Sequence, residues 1–137
     1  MGRPVLYIDI VGTLRLERGS GFEFAPFARS FVDGVRNSFD IRLLTTLEEH
    51  EALRVTRALG FEATYIPWRR ALGKTTAIRF DETFFWVDAG VGDEKNSRDF
   101  MRLSDERCSN RLIPVNPRDG VTEVTLKKLL ATLQEVQ

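Results

Sequence analysis

The sequence predicts an α/β fold in three layers, with a parallel five-stranded sheet in the order 3-2-1-4-5. Short β-prone segments alternate along the chain with segments whose apolar residues recur at helical spacing, which is typical of βα units. The segment Phe84–Asp88 is apolar up to its final aspartate, as in strands that are buried on both faces of a parallel sheet.

Each element follows from local composition. The predicted strands, in chain order, are Val5–Asp9, Ile41–Thr45, Ala63–Ile66, Phe84–Asp88 and Leu112–Val115. The first helix is expected near Pro26, because proline suits the first helical turn. The second should end at Gly60, a typical helix stop. The predicted helices begin near Pro26, cover Leu47–Leu59, begin near Gly73, cover Ser97–Glu106 and run from Thr122.

A β-hairpin is predicted between the first strand and the first helix. The run Arg18-Gly19-Ser20-Gly21 separates two short alternating stretches between Arg15 and Phe24. We find no linker, repeat or low-complexity segment, and a chain of 137 residues has the length of one domain. Residues 1–137 are therefore expected to form a single Rossmann-like domain.

The composition of the chain argues against several classes of protein, including membrane-spanning and disulfide-bonded proteins. The chain has 20 basic and 20 acidic residues, so no net charge attracts it to nucleic acid or to a membrane surface. No apolar run approaches the roughly 20 residues of a membrane span. A single cysteine, Cys108, rules out an internal disulfide and fits a reducing compartment. We expect a cytoplasmic protein with no membrane partner.

Polar side chains follow the ends of the predicted strands. Asp9, Thr45 and Asp88 each end a strand, and Lys74 follows the third strand. In the predicted strand order these residues converge at the carboxyl edge of the sheet, where ligands bind in open α/β folds. Asp93 follows in a loop with two glycines that could turn it inward. Carboxylates suit Mg²⁺, while a hydroxyl and a lysine suit a phosphoryl group.

These residues form four motifs that, in their order and spacing, resemble the haloacid dehalogenase (HAD) superfamily. The motifs are Asp9-Ile10-Val11-Gly12-Thr13, Leu43-Leu44-Thr45, Lys74, and Trp86-Val87-Asp88 with Asp93. The resemblance covers the whole α/β core. It also implies that the hairpin is the flap of this family and that no insertion is long enough for a cap domain.

The resemblance implies a phosphatase-type site. Asp9 would be the nucleophile that forms an aspartyl-phosphate, and Thr45 and Lys74 would hold the phosphoryl oxygens. Asp9, Asp88 and the backbone carbonyl of Val11 would bind Mg²⁺, with support from Asp93. The substrate would be a phosphorylated small molecule, a nucleotide or an RNA end.

Val11 departs from the family pattern, because the second residue after the nucleophile is usually an aspartate that serves as general acid and base. Valine can do neither, although its carbonyl can still bind a metal. Three interpretations stay open. The enzyme could be restricted to good leaving groups, another acid such as Glu17 or Glu23 could serve, or the chain could be a noncatalytic protein that binds a phosphorylated ligand or a protein partner.

A further alternative is an accessory domain of RNA repair, because the segment Asn116–Thr122 resembles small HAD domains that are attached to RNA-repair systems. It predicts a basic surface strip of Arg15, Arg18, Arg69 and Arg70, although ordinary surface charges are the simpler interpretation. Thr45 and Thr46 could cap the next helix instead. Lys74 could be a solvated helix residue, and His50 is expected in solvent.

Overall fold

The computed structural model describes residues 2–90 and 111–136. Its strands are β1 (Val5–Ile8), β2 (Arg15–Arg18), β3 (Gly21–Phe24), β4 (Asp40–Leu43), β5 (Thr64–Tyr65), β6 (Phe84–Asp88) and β7 (Leu112–Pro114). The main sheet is parallel and has five strands in the order β5-β4-β1-β6-β7. This is the predicted order 3-2-1-4-5, so the predicted fold class is confirmed.

The helices differ from their predicted bounds mainly at their first residues. They are α1 (Ala28–Val35), α2 (Glu49–Leu59) and α3 (Glu123–Val136), and a short 3₁₀ helix covers Lys74–Ala77. Gly60 ends α2 with a positive φ of 76°, as its position predicted. None of the described helices is long and apolar enough to cross a membrane. The helix predicted at Ser97–Glu106 lies outside the described residues, as do Asp93 and Cys108.

The sheet is covered on both faces. On one face, α1, α2 and α3 pack on alternate strand residues such as Leu6, Ile8 and Val87. On the other face, Tyr7 and Trp86 pack with side chains from the segment between β5 and β6, including Ile78 and the partly buried Trp68. Burial on both faces explains why β1 and β6 read as continuous apolar runs.

The hairpin of β2 and β3 forms a separate antiparallel sheet of two strands, as predicted. Leu16 on β2 is buried and belongs to the main core, whereas Arg15, one residue earlier, points to the opposite side of the strand. The segment before the hairpin is hydrogen-bonded to the segment before α3, because the amide of Val121 donates to the carbonyl of Thr13 at 2.8 Å. The hairpin therefore stands beside the carboxyl end of β1.

Candidate functional site

Asp9, Lys74 and Asp88 meet at the carboxyl edge of the sheet. Ile8 on β1 pairs with Val87 on β6, so the residues that follow them, Asp9 and Asp88, lie at the same level of the sheet. The Nζ atom of Lys74 lies 3.3 Å from Oδ2 of Asp9 and 2.8 Å from Oδ2 of Asp88. All three residues are buried. The structure thus brings together three of the residues predicted from their strand ends.

Hydrogen bonds from neighbouring groups hold both carboxylates in place. Oδ1 of Asp9 accepts a bond of 2.7 Å from the amide of Ile10, and Oδ1 of Asp88 accepts one of 2.6 Å from the amide of Gly90. The indole Nε1 of Trp86 donates to Oδ2 of Asp88 at 3.0 Å. The sequence analysis did not predict this hydrogen bond, because it treated Trp86 only as an apolar residue of a buried strand. Its spacing of two from Asp88, on the same side of the strand, is the signal that could have revealed it.

The buried charges of the cluster change the pKa values of Asp9 and Lys74. Burial and, next, the charge of Asp88 raise the pKa of Asp9 from 3.8 to about 7, against the opposing effect of Lys74. Burial by itself would lower the pKa of Lys74, but the two carboxylates outweigh it and the pKa is raised. Lys74 is therefore an ammonium at neutral pH. It balances part of the negative charge that Asp9 and Asp88 place in the interior.

Thr45 is buried and is the second residue of the loop that follows β4. Its Oγ1 accepts a hydrogen bond of 3.2 Å from the amide of Leu47, and its carbonyl accepts one of 2.7 Å from Nε1 of Trp68. The ring of Trp68 also lies 5.7 Å from Nζ of Lys74, so this indole connects Thr45 with the charged cluster. The alternative that Thr46 caps the next helix is wrong, because the N-cap of α2 is Glu48.

The turn after Asp9 brings its backbone very close to other loops. Gly12 has a positive φ of 78°, and a Cβ there would lie 3.1 Å from Ala89 and 3.3 Å from Pro117. Val11 is only partly buried and is not a core residue. Thr13 is fully buried, and its Oγ1 has no hydrogen-bond partner among the described residues. Gly12 is needed because other residues rarely adopt its positive φ and because a Cβ there would lie too close to Ala89 and Pro117.

Other residues singled out from the sequence lie outside the cluster. Glu17 and Glu23 are exposed and pair with Arg15 at 3.4 Å and with Arg18 at 2.8 Å, respectively. His50 is exposed, as predicted. The interpretation of Arg15 as an ordinary surface charge is wrong, because its side chain is only 11% exposed and its guanidinium carbon lies 4.3 Å from the ring centroid of Phe22. Arg69 and Arg70 are exposed.

The donor set suits a hard divalent cation. Two buried carboxylates already converge on one cationic group, the ammonium of Lys74, and the carbonyl of Val11 follows Asp9 by two residues. Oxygen ligands of this kind are those that Mg²⁺ prefers. A different group of ligand atoms, from Glu48, His50 and Glu51, lies within 4.8 Å at the exposed start of α2. Exposed groups of this kind are common without a metal, so we assign it no role.

A scan of the sequence against protein-family models gives no match, and no curated protein matches it significantly. The HAD resemblance therefore continues to depend on the four motifs themselves.

The raised pKa of Asp9 predicts an unusual pH dependence of folding stability. The folded protein keeps the Asp9 proton up to about pH 7, whereas the unfolded chain loses it near pH 3.8. This contribution therefore stabilises most in acid and is lost as pH rises from about 4 to 7. Asp9→Asn removes the titration. Relative to this variant, the wild type should lose roughly 2 kcal/mol of unfolding free energy between pH 5.5 and pH 8, measured in urea. Parallel pH profiles of the two proteins would contradict the assigned shift.

Proposed function

We propose that the protein is a Mg²⁺-dependent hydrolase or phosphotransferase that works through an aspartyl-phosphate at Asp9. One observation carries this proposal: two buried carboxylates and one buried ammonium meet where adjacent parallel strands end. Burying three charges is costly unless they serve each other or a ligand. A phosphoryl group needs both a nucleophile and a cationic partner for its oxygens, and this cluster offers both.

In the proposed reaction, a carboxylate oxygen of Asp9 attacks phosphorus. The bond from phosphorus to the leaving oxygen breaks, and its electron pair goes to that oxygen. Water then hydrolyses the aspartyl-phosphate, which releases phosphate and restores the carboxylate. The amide of Ile10 holds the other oxygen of Asp9 and thereby orients the side chain. Lys74 supplies positive charge beside the incoming phosphoryl oxygens, and Thr45 lies at the neighbouring strand end.

Asp9, Asp88 and the Val11 carbonyl would hold Mg²⁺, with Asp93 as a further candidate. When bound, the ion would offset the negative charge of the phosphoryl group. Lys74 now contacts both carboxylates, so the ammonium and the ion would share the same negative charge.

The valine at position 11 points to substrates with good leaving groups. An alkoxide leaves poorly without a proton, whereas a carboxylate or an activated phenolate leaves without one. We therefore propose acyl phosphates or activated aryl phosphates as the substrate class. A nucleotide or an RNA end would need another acid. Glu17 and Glu23 are the nearest candidates in the chain, and both already pair with arginines. We also propose a cytoplasmic location, on the basis of the single cysteine.

The proposal can be tested with acetyl phosphate, 4-nitrophenyl phosphate and glucose 6-phosphate. We expect Mg²⁺-dependent hydrolysis of the first two, little of the third, and loss of activity in Asp9→Asn. Asp88→Asn should raise the Mg²⁺ concentration that gives half-maximal activity. Asp81→Asn is a matched control, since Asp81 is exposed and pairs with Arg79. Efficient hydrolysis of glucose 6-phosphate that depends on Asp9 would show that another acid serves.

A noncatalytic binding protein is the second candidate, and one observation favours it. Each carboxylate oxygen of Asp9 and Asp88 already accepts a hydrogen bond or pairs with Lys74. Such a cluster could hold the strand ends together without turnover. Absence of hydrolysis for all three compounds, with phosphate analogues still bound, would favour this candidate over the enzyme. Its ligand would be a phosphorylated compound or a protein partner.

A further inference from the structure

We propose that a cavity between the hairpin and α2 binds an aromatic anion, meaning a planar ring system that carries a carboxylate or a phosphate. The cavity has a volume of about 360 Å³ and is lined by residues including Arg15, Phe22, Phe24 and Arg54. This volume lies within the range of roughly 300–1,000 Å³ found for small-molecule sites. The proposal does not require turnover at Asp9.

The position of Arg15 in the lining of the cavity favours an anionic ligand. The Arg15 side chain is only 11% exposed. Its Nε is closed to solvent and has no hydrogen-bond partner among the residues that the structure describes, so a ligand oxygen would bind the guanidinium through its other nitrogens. Among the described residues, the acid that pairs with Arg15 is Glu17 at 3.4 Å, and the Glu17 side chain is 56% exposed. Such exposed pairs contribute little, so an anion in the cavity can compete with Glu17 for the guanidinium.

Arg54 places a second cation on the opposite wall. It is exposed on α2 and lines the same cavity as Arg15, and it forms no ion pair with a described residue. Glu51 is the acidic residue among the lining residues, and the imidazole of His50 lies beside it. The residues that line the cavity therefore include two arginines and one carboxylate, with Glu17 paired to Arg15 outside the lining. The planar guanidinium of each arginine can bind a carboxylate or phosphate through two hydrogen bonds.

The aromatic side chains indicate the rest of the ligand. Phe22 is 53% exposed, which is high for a large apolar residue, and it lies on the same side of the hairpin as Phe24, in edge-to-face contact at 6.1 Å. The guanidinium of Arg15 already lies over the Phe22 ring. A planar ring bound beside them would bury apolar surface of Phe22 and could stack on the guanidinium, a favourable contact for arginine.

A short turn of the chain connects the cavity with the proposed catalytic site. Arg15 forms a backbone bridge with Val11, and the amide of Gly12 donates to the Arg15 carbonyl at 2.7 Å. The turn between β1 and β2 is therefore flanked by Asp9 on one side and by Arg15 of the cavity on the other.

Calorimetry on the full chain without Mg²⁺ tests the proposal, with naphthalene-2-carboxylate and 2-naphthyl phosphate as probes and naphthalene-2-carboxamide as the uncharged comparison. We expect at least one anion to bind about tenfold more tightly than the carboxamide, the effect of one charge-assisted hydrogen bond. The stronger probe identifies the preferred anion. Phe22→Ala should weaken binding of the ring itself.

Arg15→Gln and Arg54→Gln should each remove most of the preference for the anion. Arg57→Gln is the matched control, since Arg57 is exposed on the same helix but lines a different cavity. Arg54 is exposed, so its substitution tests the proposal even if Arg15→Gln fails to fold. Binding that is unchanged in Asp9→Asn separates this cavity from the site at Asp9. Equal binding of anion and carboxamide, no detectable binding, or full affinity in Arg54→Gln would overturn the proposal.

Discussion

Val11→Asp is expected to raise the hydrolysis of alkyl phosphates by about 10²–10⁴-fold, the usual contribution of a general acid–base group. Val11 follows the proposed nucleophile by two residues and is only partly buried. A carboxylate at this position can therefore remain solvated, and we expect no large loss of stability. The measurement is the initial rate with glucose 6-phosphate in saturating Mg²⁺, together with the urea unfolding midpoint.

Val11→Asn is the matched control, because asparagine has the same shape as aspartate but cannot transfer the proton. It should leave the rate near that of the wild type. Adding Asp9→Asn to Val11→Asp should abolish the gain. If Val11→Asp folds and binds Mg²⁺ but hydrolyses no faster, the rest of the site is not catalytic, and the binding function becomes the better explanation.

Lys74→Met should destabilise the protein by about 3–5 kcal/mol at pH 8, the typical cost of removing one partner from a buried ion pair. Lys74 is 2% exposed, and both Asp9 and Asp88 lose its charge together. Methionine retains much of the apolar length of lysine, so the loss should reflect charge more than packing. Urea unfolding of the two proteins measures the difference.

Three comparisons isolate the charge effect of Lys74. The loss should be smaller at pH 5.5, because Asp9, with its pKa of about 7, is then mostly protonated. Adding Asp9→Asn and Asp88→Asn to Lys74→Met should recover much of the stability, since no buried charge remains. Lys127→Met, at an exposed position on α3, should have little effect. A loss that persists at both pH values and in the neutral triple variant would assign Lys74 a packing role instead.

The parallel sheet was predictable because it depends on patterns that are local in the chain. The strand order 3-2-1-4-5 was a premise, since no local pattern determines which strands are neighbours, and the structure has this order. Buried strands such as β6 need apolar residues on both faces, and the aspartate that ends β6 marks the point where the chain leaves the core. Once the order was inferred, adjacency of Asp9 and Asp88 followed from geometry. Lys74 was harder to predict, because a lysine after a strand is usually solvated, and only the two carboxylates explain its burial.

The contacts that could not be predicted depend on long-range packing. The Arg15 side chain is largely covered, with its guanidinium over the ring of Phe22 on the opposite strand of the hairpin, whereas Arg18 on the same strand is exposed. The local pattern does not distinguish the two arginines. The first helix begins at Ala28 instead of near Pro26, because a turn there places Phe27 at the N-cap. The roles proposed for Thr45 and Asp93 toward a ligand stay predictions, and Asp93 lies outside the described residues.

The pairing of β1 also determines when the charged cluster can form during synthesis of the chain. Val5 pairs with Asp40 on one side and with Phe84 on the other, so β1 becomes a central strand only after most of the chain is available. We therefore expect Asp9 to lose its hydration only when β6 docks beside β1, so that the cost of burying its charge falls late in folding. Pairings between such distant segments form slowly. Substitutions at Asp88 or Lys74 should then act mostly on the unfolding rate.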